Sequence, residues 1–236
     1  MQTSLKTLKL NTFIKGELID LCIPTREFAE KSDWYSWFND PQITRYLDNA
    51  VFPNTRKKQV EFYESQRKQR LILIISNKNK YLGVINLSNL DLINKTANIA
   101  LVVDSSKCFK DSPVISLEAM ARVTEHAFTL MGIQRIFAGQ HKSLFCWQQR
   151  LELLGYRVEG IKRQGFIKGQ EVEDSISLSV LRKDYDKIIE CRGQYWDSAE
   201  NMFRRIKSLP KQRFAQKVYH LINNESDEYY SSIFSL

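Results

Sequence analysis

Residues 71–104 read LILIISNKNK YLGVINLSNL DLINKTANIA LVVD, and the fold turns on them. Leu71 to Ser76, Tyr81 to Leu87 and Thr96 to Asp104 are branched and apolar, parted by the polar turns Asn77-Lys78-Asn79-Lys80 and Asn94-Lys95. Turns this short join antiparallel neighbours, so the stretch predicts a three-strand meander. The period then changes. Leu117, Met120, Ala121, Thr124, Phe128 and Met131 share one helical face. Gly132 stops that helix, and Ile133 to Gly139 reads as another strand. A strand–helix–strand unit makes its two strands parallel, with a right-handed crossover. The class is α/β, with a mixed sheet flanked by helices.

Upstream, residues 16–23 read as a first strand, broken by Pro24. Glu27 to Asn39 is helical, with Phe28, Trp34, Trp37 and Phe38 forming an aromatic face. Asn39-Asp40-Pro41 stops it, because proline disrupts a helix interior. Thr55 is the expected N-cap of a helix to about Arg70. Downstream, a helix from about Ser143 ends at Gly155, and Tyr156–Phe166 and Val172–Leu181 form a hairpin around Lys168-Gly169. Beyond Arg182 the texture shifts to two amphipathic helices split by Pro210, then a polar and aromatic end expected to be mobile. The predicted organisation is one domain over 1–183 and a helical extension over 184–236.

With 35 Lys+Arg against 27 Asp+Glu, the net charge of +8 favours anionic ligands without choosing among them. The four cysteines form no CxxC pair, so neither a disulfide framework nor a zinc site is expected. Residues 1–10 lack the apolar core of a signal peptide, and no apolar run nears the ~20 residues of a membrane span. The expected location is the cytoplasm.

The order strand, helices, meander, helix, strand, helix, hairpin resembles the core of the GNAT acyltransferase superfamily over about residues 16–183. Trp37-Phe38-Asn39-Asp40-Pro41 with Tyr46 resembles a segment of ribosomal-protein N-terminal acetyltransferase relatives. Leu82-Gly83-Val84-Ile85, Leu151-Glu152-Leu153-Leu154-Gly155-Tyr156 and Asp174 in the last strand resemble further family motifs. The resemblance implies that Thr96–Asp104 and Ile133–Gly139 splay apart around the pantetheine arm of acetyl-CoA. The backbone of Leu101, Val102 and Val103 would pair with that arm. The helix beginning near Val114 would aim its N-terminus at the pyrophosphate.

The chain departs from the family in its phosphate loop, where Val114 and Ser116 replace glycines and Pro113 removes an N–H. Val114, Ile115, Ser112, Ser116 and Lys110 are the expected phosphate contacts, with Lys107, Ser105 and Ser106 in support. Family side chains near the CoA arm become Leu144 and Trp147, and the usual tyrosine acid becomes Leu151, leaving Ser143, Cys146 and Tyr156 as neighbours. Cys146 also reads as a small buried hydrophobe. His141 is a candidate base or proton relay, or an exposed turn histidine. Asp104 is a candidate base or a loop cap, and His126 a packing residue. Trp37, Asn39, Arg45 and Tyr46 are the expected acceptor contacts, although the aromatic cluster also reads as core.

The leading functional expectation is acetyl transfer from acetyl-CoA to a primary amine on a small anionic acceptor. A nucleotide-linked amino sugar of a surface-polysaccharide pathway fits best. One alternative is acetylation of a protein N-terminus or an aminoacyl-tRNA, although nucleic-acid binding is not favoured. Another is a non-catalytic binding or assembly module. The tail helices either pack on the core or mediate a homodimer.

Overall fold

The computed structural model describes residues 8–47, 51–78, 80–104 and 112–236, with only the backbone of Ser112. Its strands are β1 (Thr12–Lys15), β2 (Asp20–Cys22), β3 (Leu71–Asn77), β4 (Lys80–Asp91), β5 (Thr96–Val103), β6 (Arg135–His141), β7 (Arg157–Lys168) and β8 (Glu171–Leu181). They form one sheet in the order β1-β2-β3-β4-β5-β6-β8-β7. Every neighbouring pair is antiparallel except β5 and β6. The meander and the parallel crossover are as the sequence predicts.

Strand alternation gives each face its own helices. Ile72, Ile74 and Val84 face α1 (Arg26–Lys31), α2 (Trp34–Trp37) and α3 (Arg56–Gln66), packing with Phe28, Trp34 and Trp37. Leu73, Ile75, Ile85, Leu87 and Ile99 face α4 (Ser112–Thr129), packing with Leu117, Met120 and Phe128. Thr55 caps α3, its hydroxyl accepting from the Lys58 N–H.

The first strand is two short strands rather than one, because the turn at 16–19 is held from outside. Glu118 on α4 is wholly buried, and its carboxylate accepts from the Glu17 and Leu18 N–H groups and from Arg122. A side chain at Gly16 would stand 2.6 Å from that carboxylate. The helix predicted over 27–39 breaks at Ser32, whose backbone is extended. The segment 142–144 is a 3-10 turn leading into α5 (Phe145–Glu152).

After β8 come α6 (Arg182–Arg192), α7 (Ala199–Lys207) and α8 (Phe214–His220). A π-turn over Leu221–Glu225 leads to α9 (Ser226–Phe234). Gly193, left-handed at φ 80°, ends α6 inside the segment predicted as one helix. The last segment is helical, with Tyr229, Tyr230, Ile233 and Phe234 exposed. Tyr185, Tyr195, Trp196, Met202 and Ala215 belong to the same core as α4. Trp196 Nε1 and the Ala199 N–H both donate to Glu17, and the Tyr195 hydroxyl donates to the Leu154 carbonyl. α6 and α7 thus pack on the core. No helix among the described residues is long and apolar enough to cross a membrane.

Candidate active site at the strand splay

β5 and β6 pair over three positions only: Thr96 with Arg135, Ala97 with Ile136, and Asn98 with Phe137. Beyond Asn98, β5 runs on to Val103 paired with β4 alone, and β6 runs on to His141 paired with β8 alone. The strands part into a wedge, and the edge of β5 along Leu101, Val102 and Val103 has no strand partner there among the described residues. Unpaired strand backbone of this kind accepts an extended ligand as an added strand. Gly83 lets β4 close on the wedge: a Cβ there would lie 2.2 Å from the Val102 carbonyl oxygen.

The first turn of α4 follows. Val114, Ile115 and Ser116 are buried, so their side chains pack inward and any anion would meet their backbone N–H groups. Lys110, Lys107, Ser105 and Ser106 lie outside the described residues, as does the Ser112 side chain. Wedge and helix start together fit an acyl-CoA.

A cavity of about 470 Å³ lies between α2–α3 and the sheet. Its floor is Ile72, Val84, Asn86, Ser88, Ala100, Leu101 and Val102, so it reaches β5 beyond the last β5–β6 pair. Its walls include Trp34, Phe38, Phe52 and Phe62, with Asn54, Gln59, Lys58 and Arg70 supplying polar groups. No carboxylate lines it among the described residues. Asn54 Nδ2 donates to Gln59 Oε1 at 2.9 Å, which turns the Gln59 amide nitrogen the other way. Gln59 Nε2, Trp34 Nε1 and Asn86 Oδ1 are all buried and without a hydrogen-bond partner among the described residues.

The expected acceptor contacts do not line this cavity. Trp37 is core, packed beside Trp34. Asn39 clasps Asn54, its amide donating to the Asn54 carbonyl and accepting from the Asn54 N–H. The Arg45 guanidinium lies over the Tyr46 ring, and Tyr46 stacks on His141 at 4.8 Å.

His141 is the last residue of β6 and is buried, not an exposed turn residue. Phe166 packs edge-on against it at 4.7 Å. Its Nδ1 accepts from the Ser143 N–H at 3.1 Å, so the neutral ring carries its proton on Nε2, 3.5 Å from Glu171 Oε1. To take a proton at Nδ1 the ring must first give up that hydrogen bond. Asp104 is buried at the end of β5, and its N–H donates to the Leu82 carbonyl. Cys146 is exposed on α5, not a buried packing residue. Tyr156 is unfit as a neighbouring acid: wholly buried, hydrogen-bonded to Thr124 at 2.7 Å, its hydroxyl held protonated by burial. Leu151, in the usual tyrosine position, is core, and His126 packs edge-on to Phe13.

Sequence reading missed Trp34 as a cavity wall, and Asn54, Lys58, Gln59, Arg70 and Asn86 altogether. One signal was present. Asn86 and Ser88 follow Val84 on one side of a strand whose other side is apolar, a polar patch on an otherwise buried face.

A mixed sheet parted between its parallel strands, with a helix starting at the opening and a polar cavity beside it, defines an acyl-CoA-dependent acyltransferase architecture. Residues 24–143, just over half of the chain, match the family described as "Acetyltransferase (GNAT) domain", and the chain belongs to that family. Solved structures share the fold. The spermidine N-acetyltransferase from Vibrio cholerae, in complex with CoA and spermine, is 14% identical with a TM-score of 0.63, covering 71% of this chain and 98% of that one. RimJ of Mycobacterium smegmatis, in complex with CoA-disulfide, is 14% identical with a TM-score of 0.62, covering 75% and 90%. The Microcin C7 self immunity acetyltransferase MccE, in complex with acetyl-CoA and AMP, is 23% identical with a TM-score of 0.57, covering 70% and 93%. No curated protein matches the chain in sequence.

Proposed function

We propose that the protein transfers the acetyl group of acetyl-CoA to the primary amine of a small anionic acceptor, such as a nucleotide-linked amino sugar. The observation that carries this reading is the cavity that meets β5 at Ala100–Val102, where β6 has already parted. An acceptor there lies against the strand that would hold the acyl donor. Lys58 and Arg70, with no carboxylate among the described lining residues, favour an anion over a polyamine.

The amine nitrogen attacks the thioester carbonyl, the C–S bond breaks, and the proton lost by the amine ends on the CoA thiol. The chain's part is to align the amine, polarise the carbonyl and move that proton. A backbone N–H near Val103 is assigned to the carbonyl oxygen. Asp104 is assigned as the base. His141, with its Nε2 proton toward Glu171, is assigned as a relay, and Cys146 as a candidate proton donor to the leaving thiolate. Val114, Ile115 and Ser116, with Lys110 and Ser112, are assigned to the pyrophosphate. Trp37, Asn39, Arg45 and Tyr46 shape and close the acceptor side. A cytoplasmic location and a homodimer formed through the C-terminal helices complete the proposal.

The test is calorimetric titration with acetyl-CoA, followed by assay of CoA thiol release with UDP-linked amino sugars and with spermidine. Micromolar acetyl-CoA binding, with release driven by the anionic amines, is expected. Release driven by spermidine alone would overturn the acceptor assignment, and folded protein that binds no acyl-CoA would overturn the whole reading.

A further inference from the structure

Three side chains that line the α2–α3 cavity each carry a buried polar atom without a partner among the described residues, and each is fixed by the fold. The Trp34 indole N–H is a donor only, on a side chain with no exposed surface. Gln59 is 2% exposed, and its amide is oriented by Asn54, so its NH₂ group is the end left over. Asn86 lies opposite Ala100 on β5, at the start of the wedge, and its Oδ1 is an acceptor. Buried polar groups are ordinarily paired, so two donors and one acceptor left open in a single cavity mark where a ligand supplies the missing partners. Lys58 and Arg70 add positive charge to the same cavity.

We infer that these atoms select the acceptor: Trp34 Nε1 and Gln59 Nε2 donate to its phosphate or carboxylate oxygens, while Asn86 Oδ1 receives an N–H of the attacking amine. This rests on the transferase reading and adds to it. It names the substrate as an amine carrying an anionic oxygen group, and it makes Asn86 a positioning residue. Asn86 touches the amine beside β5, whereas the two donors act on the distant end of the acceptor. Losses should therefore divide, with the donors governing affinity and Asn86 governing turnover.

The full chain is titrated with glucosamine 1-phosphate, UDP-glucosamine and, as the control without an anionic group, glucosamine, each in the presence of desulfo-CoA. The phosphate-bearing amines should bind at least tenfold more tightly than glucosamine. Gln59→Leu and Trp34→Phe should remove that advantage while desulfo-CoA affinity stays within threefold. Gln59→Glu, which keeps the acceptor for Asn54 but places an anion in the cavity, should abolish it. Asn86→Leu should keep phosphate-amine affinity within threefold and lower kcat at least tenfold. Gln59→Met, similar in shape, guards against a folding artefact and should match Gln59→Leu. If the phosphate-bearing amines bind no better than glucosamine, or Gln59→Leu and Trp34→Phe leave their advantage intact, the inference fails. Acetyl transfer indifferent to all three positions would sink it while sparing the transferase reading. Failure of every amine to release CoA thiol would sink that reading, whatever the titrations show.

Discussion

Glu118, Tyr156 and Tyr195 are as deeply buried on the α4 side of the sheet as Trp34 and Gln59 are on the α2–α3 side. Their polar atoms nonetheless fare differently. Glu118 accepts from two backbone N–H groups and from Arg122, Tyr156 pairs with Thr124, and Tyr195 donates to Leu154. Trp34 Nε1, Gln59 Nε2 and Asn86 Oδ1 pair with nothing among the described residues. The three named groups on the α4 side are met within the fold, whereas the three on the α2–α3 side are left open beside the wedge. An unmet polar group costs stability wherever no ligand meets it. On the proposed reading, the first set serves stability and the second recognition.

Substitutions on the two faces should therefore have opposite signatures. The largest loss of stability is expected on the closed face. Glu118→Ala strands the Glu17 and Leu18 N–H groups and the Arg122 charge, and should cost about 3–5 kcal/mol in urea unfolding. A cost under about 1 kcal/mol would break the contrast. Gly83→Val should come next, affecting both properties: with a Cβ 2.2 Å from the Val102 oxygen, β4 and β5 must shift at the wedge. Weakening of acetyl-CoA by about tenfold or more, about 1.4 kcal/mol, is the expected reading by calorimetry. On the open face, Gln59→Leu should leave the free energy of urea unfolding within about 1 kcal/mol of wild type while acceptor affinity falls.

The pH response sharpens the same contrast. Burial raises the Tyr185 hydroxyl to about 12, with Glu125 adding to the shift, and burial holds Tyr156 higher still. Each therefore keeps its proton in the folded state at pH values where the unfolded chain, near 10, has lost it. Stability from these groups is full below pH 10 and declines from pH 10 to 12. Tyr185→Phe should flatten part of that decline in melting temperature. Asp197 works the other way. Its side-chain hydrogen bonds to Arg205 hold the carboxyl well below the usual range, so its contribution is present above about pH 4 and is lost as pH falls. Asp197→Asn should cost about 1–2 kcal/mol at neutral pH and less in acid.

Much of the architecture was legible because it rests on periodicity. The apolar runs parted by short polar turns over Leu71–Asp104 and the helical spacing of Leu117–Met131 were enough for the meander and the crossover. Breaks set by distant partners were not legible. The turn at 16–19 depends on Glu118, about a hundred residues away, and nothing local announces that carboxylate. Gly193 was visible as a glycine, but its left-handed conformation was not. The wedge was legible only through the family resemblance, which implied that Thr96–Asp104 and Ile133–Gly139 splay apart. The cavity was not legible, because α3 is polar on nearly every side and Gln59 carries no mark separating it from its solvated neighbours. The clasp between Asn39 and Asn54 likewise appears only once the chain has closed.

The parted strands are proposed to hold the acyl donor. Amide hydrogen exchange with and without saturating acetyl-CoA tests it directly. Added protection across Ile99–Val103 and the first turn of α4, with β7 and β8 little changed, is the predicted result. Protection confined to other segments, with β5 unaffected, would contradict it.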